Sequence, residues 1–81
     1  MVRREDFMHC VDTLKQEEKL LHIGIRLEDD KVVIIYRAES DKYVTTVHDN
    51  FIEVRTKEGN YFTRVFIPFE NIKLLEGVIH D

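Results

Sequence analysis

The chain has no tryptophan, a single cysteine (Cys10), a single proline (Pro68) and three glycines (Gly24, Gly59, Gly77) among its 81 residues. A lone cysteine excludes an internal disulfide, so nothing covalent compensates for the small core of so short a chain, and it fits a reducing, cytoplasmic setting. With so little proline and glycine there is no linker and no low-complexity tract, and each of these four residues stands out as punctuation. Long apolar runs are missing too. None approaches the roughly 20 residues that a bilayer-crossing helix needs, so no membrane partner is expected. The amino terminus, Met1-Val2-Arg3-Arg4-Glu5-Asp6, is charged and leads into an amphipathic segment, unlike the apolar stretch of a secretory leader. Basic charge is in deficit, with 12 Lys and Arg against 16 Asp and Glu, a net −4. That balance disfavours sequence-independent binding to nucleic acid, which depends on cations that displace counterions from phosphate. A local basic patch stays open.

Catalytic and metal-binding patterns are also lacking. Zinc takes three or four ligands at characteristic spacings. The nearest cluster is His9-Cys10 with Asp12, and no C-x-x-C or H-x-x-x-H occurs. Cys10 falls on the apolar face of a helical pattern, where a free cysteine packs as a small hydrophobe. His48-Asp49 has the composition of a base and its orienting carboxylate, but adjacent residues in a turn seldom face each other, and no nucleophile motif accompanies them. Turn chemistry accounts for Asp49-Asn50. No enzyme activity, cofactor or metal is expected.

What is present reads as one soluble globular domain over residues 1–81, with 43% hydrophobic and 35% charged residues. From Arg4 to Leu20 the apolar residues Phe7, Cys10, Val11 and Leu14 (with Leu21 beyond) recur at helical spacing, opposite Arg4, Asp12, Lys15 and Lys19. After Leu21 the period becomes two. A two-residue loop at Asp29-Asp30 pairs Leu27 with Val32, Ile25 with Ile34 and Ile23 with Tyr36, all on one face. Gly24 marks a bend or a close backbone approach. A second hairpin runs from Tyr43–Val47 through His48-Asp49-Asn50 into Phe51–Thr56, aligning Val47 with Ile52 and Thr45 with Val54. A third turns through Lys57-Glu58-Gly59-Asn60 into Tyr61–Ile67, setting Ile52 against Val65, Glu53 against Arg64 and Phe51 against Phe66. Pro68 ends or bends that strand, and Ile72–Leu75 reads either as a last strand or as a helical turn.

A helix, a bent meander, and a short strand after a tight turn at Phe66-Ile67-Pro68-Phe69-Glu70-Asn71-Ile72 together resemble the Sm-like and SH3-like small β-barrels. The acidic turn Leu27-Glu28-Asp29-Asp30-Lys31 is similar to the one that joins the first two strands of Sm proteins. The resemblance implies an α+β fold: an N-terminal helix followed by a five- to six-stranded antiparallel, barrel-like meander. A helix lying across an open antiparallel sheet satisfies the same pattern. The Sm RNA-contacting residues are matched at most by Asp49-Asn50, with no Arg-Gly before the closing strand, so the resemblance concerns shape.

Arg26, Arg55 and Arg64 lie on strands together with Phe51, Phe62 and Phe66, a set that would form a basic, aromatic interaction face if the fold brings it together. The same hairpin is apolar on its other side, at Ile52, Val54 and Val65. A small monomer cannot easily bury both sides, so a second subunit is expected to cover one of them. The residues therefore point to a non-enzymatic interaction domain that acts through protein–protein contacts and self-associates, most simply as a dimer. A single-stranded nucleic-acid or RNA module is the alternative.

Overall fold

The computed structural model describes all 81 residues, Met1–Asp81. The element order is α1 (Arg4–Lys15), β1 (Leu20–Leu27), β2 (Val32–Arg37), β3 (Tyr43–Val47), β4 (Phe51–Glu58), β5 (Tyr61–Pro68), a 3-10 turn (Phe69–Asn71) and β6 (Ile72–Ile79). The strands form two three-stranded antiparallel sheets, ordered β2-β1-β6 and β3-β4-β5. The molecule is thus α+β with an open pair of sheets, not a closed barrel. No helix is long and apolar enough to cross a membrane.

The helix is shorter than its periodicity suggests. It stops at Lys15, and Gln16-Glu17-Glu18-Lys19 make a turn in which the Glu17 N–H donates to the Leu14 carbonyl and the Leu20 N–H to that of Glu17. The four turn residues offer no apolar side chain to a helical face, and Leu20 is buried instead as the first residue of β1. Phe7 is the one buried residue of α1, with Val11 and Leu14 packed at the core's margin. Cys10 is exposed, contrary to the expectation that it packs inside. The contact stripe runs through positions 7, 11 and 14 and is too narrow to include position 10.

The β3–β4 hairpin has the expected register, Val47 opposite Ile52 and Thr45 opposite Val54. The first hairpin differs. Asp30 takes a left-handed conformation (φ 67°), and the Leu27 N–H donates to the Lys31 carbonyl, so the loop holds three residues. Such a loop needs one left-handed position, whereas a two-residue hairpin turn of the common type needs two. Near the turn the pairing is therefore Arg26 with Val32, Ile25 with Val33 and Gly24 with Ile34. A bulge at Ile35 then restores Ile23 opposite Tyr36. The bulged residue is buried, and its carbonyl accepts a hydrogen bond from the Thr45 hydroxyl (3.0 Å), which ties the two sheets together.

In the third hairpin the turn is tighter than expected. Gly59 (φ 61°) and Asn60 alone form it, and Glu58 already pairs with Tyr61. Register moves by two residues: Ile52 opposes Ile67, Val54 opposes Val65, Glu53 opposes Phe66 and Arg55 opposes Arg64. A shift of two leaves every side chain on its face. Beyond Pro68 the 3-10 turn carries the chain to the other sheet, where the closing segment is a full strand on β1, from Leu27 with Ile72 to Leu20 with Ile79.

Ten buried apolar residues make the core: Phe7 from the helix, Leu20, Ile23, Ile25, Ile35 and Ile72 from one sheet, Ile52, Val54 and Ile67 from the other, and Phe69 from the turn. The Phe7 and Phe69 rings meet edge to face at 5.6 Å. At the far end of α1, Leu14 lies directly over Gly77 of β6, where an added Cβ would collide with its side chain. Gly77→Ala is expected to destabilise the fold by about 1–3 kcal/mol, and the loss should shrink when Leu14 is already alanine. A double-mutant cycle by urea denaturation measures the coupling; strictly additive losses would place the strain elsewhere.

A basic, aromatic face on the β3–β4–β5 sheet

Along β4, the buried Ile52 and Val54 alternate with Phe51, Glu53, Arg55 and Lys57. The pairing sets these last four opposite Pro68, Phe66, Arg64 and Phe62 of β5. Val44 and Thr46 of β3 share their side, and Lys42 joins it through the Lys57 N–H, which donates to the Lys42 carbonyl. Five of the six residues singled out from the sequence, Phe51, Arg55, Phe62, Arg64 and Phe66, are thus on one outer face. Arg26 is not. It belongs to β1 in the other sheet, where Nε donates to Glu76 Oε1 (2.9 Å) and a terminal nitrogen donates to the Asp30 carbonyl. Its period-two position is formally equivalent, but the strand order separates it from the rest.

The face is organised by ring–cation stacking. The Arg55 guanidinium lies 3.8 Å from the Phe62 ring centre and that of Arg64 lies 5.2 Å from Phe66. Phe66 meets Phe51 edge to face at 6.0 Å, and Phe51 stacks on the His48 ring at 4.6 Å. One carboxylate sits among them. Glu53 accepts a 2.7 Å hydrogen bond from Arg64 Nε, and His48 Nε2 stands 3.6 Å from its other oxygen, buried and without a hydrogen-bond partner. The hydrogen bond from Arg64 holds the Glu53 carboxyl below the usual carboxylate range; partial burial opposes this, and His48 adds to it. Arg64 is correspondingly raised by the Glu53 hydrogen bond and charge. The His48 carbonyl accepts a hydrogen bond from Arg4 Nε (3.1 Å), so the helix N-terminus is attached to this sheet as well.

Four cations (Lys42, Arg55, Lys57, Arg64) against one carboxylate give the face a net +3, and since the whole chain carries −4, the rest carries −7. Arg64 alone of the four has an anionic partner. Val44 follows from the expected β3–β4 register, opposite Arg55, whereas Lys57 was read as part of the turn that Gly59-Asn60 alone form and Lys42 lies before β3. His9, Cys10 and Asp12 are exposed on α1 and converge with no further ligand. Comparison of the chain with protein-family models, with curated proteins and with solved structures finds no match in any of the three.

Because the folded carboxyl titrates below its unfolded value, the stabilisation from Glu53 is present above about pH 4.3 and is lost as pH falls through the folded value. Carboxyl chemical shifts should give Glu53 a midpoint below that of an ordinary glutamate, and Arg64→Ala should raise it. A midpoint at or above the ordinary value, or one indifferent to Arg64→Ala, would contradict the ion pair.

Proposed function

We propose that the protein is a non-enzymatic interaction domain of the cytoplasm that self-associates, in the first instance as a two-fold dimer, through the β5 edge. The observation that carries this is β5 itself. It is an eight-residue edge strand whose first six residues, Tyr61–Phe66, are all exposed, among them Tyr61, Phe62, Val65 and Phe66. Natural edge strands are guarded by lysine, proline, bulges or brevity. Here proline comes only at the last position, and the register with β4 is regular. A strand of this kind offers free backbone groups and apolar side chains to a partner, and a copy of itself is the partner always present.

The exposed area supports the same reading. The chain exposes 5869 Å², whereas a compact monomer of 9.7 kDa exposes about 5,100 Å². The excess is close to the roughly 800 Å² that each partner loses in a standard interface. In shape, the return of β6 to β1 after a tight turn supports the resemblance to Sm-like and SH3-like barrels, in an opened form. One observation favours a nucleic-acid module, the +3 aromatic face. The surrounding −7 works against a long polyanion.

Sedimentation over a wide concentration range should show a dimer for the natural chain and a monomer for Tyr61→Lys/Val65→Lys, whose changes lie at exposed positions and leave the core untouched. A natural chain still monomeric at about millimolar concentration, where association of roughly −4 kcal/mol would register, would overturn the proposal.

A further inference from the structure

At the turn end of the β3–β4–β5 sheet a depression of about 210 Å³ is lined by Asp41, Lys42, Val44, Arg55, Lys57 and Phe62. Its floor is apolar and open, with Val44 54% and Phe62 60% exposed. Lys42, Arg55 and Lys57 take part in none of the molecule's ion pairs, while the carboxylate at the rim, Asp41, also stands unpaired. Three unpaired cations against the one rim carboxylate leave the depression locally positive on a chain of net −4. We infer that this depression docks an acidic segment of a protein partner, carboxylates against Lys42, Arg55 and Lys57 and an apolar side chain on Val44 and Phe62. The inference rests on the reading of the chain as an interaction domain, but it uses the sheet face and shares only Phe62 with β5.

Charge decides among the occupants. A second copy related by two-fold symmetry would bring one +3 face against another, so this surface is unsuited to the dimer contact and stays open beside it. A nucleic-acid strand would find only three free cations, a salt dependence of about two in log–log slope, and would then run out over acidic surface. A short acidic segment matches the cluster in number and ends where it ends. Arg55, its guanidinium 3.8 Å from the Phe62 ring centre, can take a carboxylate in a paired contact.

The test is a fluorescence-anisotropy titration with a short labelled peptide alternating glutamate and leucine, its glutamine–leucine counterpart, and an oligothymidylate. The glutamate peptide should bind and weaken steeply with salt, and the glutamine peptide should not bind. Arg55→Glu and Lys57→Glu, both at exposed positions, should each weaken the glutamate peptide roughly tenfold or more. Lys31→Glu, on the other sheet's hairpin, should leave it unchanged. Equal binding of the two peptides, no binding at about millimolar, or indifference to Lys57→Glu overturns the site. Tighter binding of the oligothymidylate overturns the choice of occupant in favour of nucleic acid. Repeating the titration with Tyr61→Lys/Val65→Lys separates this result from that of self-association, because that variant keeps the depression and loses only the edge.

Discussion

Everything in this molecule depends on how the chain crosses from one sheet to the other between Pro68 and Asn71. Proline cannot donate to a ladder and ends β5. The next residue, Phe69, turns inward, its ring against Phe7 and its N–H donating to the Asn50 carbonyl at 3.2 Å. Two residues on, the Asn71 carbonyl accepts from the Glu28 N–H at 2.9 Å. One short turn is thereby fastened to the β3–β4 loop, to the β1–β2 loop and to the helix. With only ten buried apolar residues to hold the fold, this convergence makes helix and both sheets a single cooperative structure.

The same crossing leaves edges. Because the chain changes sheets after β5, that strand has a neighbour on one side only, and β6 is in the same position across the gap. The hydrophobic surface that a closed barrel would bury therefore remains along β5, and the cations remain on the face beyond it. With Lys42, Arg55 and Lys57 unpaired on one sheet, the chain has two kinds of surface there, one apolar at the edge and one charged on the face. The two surfaces meet only at Phe62.

Much of this was legible in the sequence wherever a local rule decided the outcome. The β3–β4 register followed from alternation and a short polar turn, and Pro68 announced the crossing. The β4–β5 turn was misjudged by two residues, yet the outer face survived, since a slip of two moves no side chain across the sheet. The first hairpin differs by one residue near the turn, where Val32 and Ile34 pair with Arg26 and Gly24 and so lie on the face opposite to the expected one; the Ile35 bulge restores only the pairing of Ile23 with Tyr36. A left-handed aspartate and a compensating bulge leave no distinct mark in composition. Cys10 and Arg26 failed for a different reason. Their local periodicity was read correctly, but helix contact width and strand order are tertiary facts. Closed barrel and open sheets share one alternation pattern, so periodicity alone could not separate them.

The pairing of Leu20 with Ile79 places the start of β1 and the end of β6 side by side, with the His80 N–H donating to the Lys19 carbonyl just beyond. Tension applied to the two chain ends would first lift α1 off and then reach this ladder at its terminus, opening its rungs one after another. Strands loaded in that way unzip in sequence, whereas strands pulled lengthwise must break all their bonds together. The domain is consequently built to give way under modest pull between its ends, and any neighbour fused at one terminus and anchored at the other would work against its weakest direction.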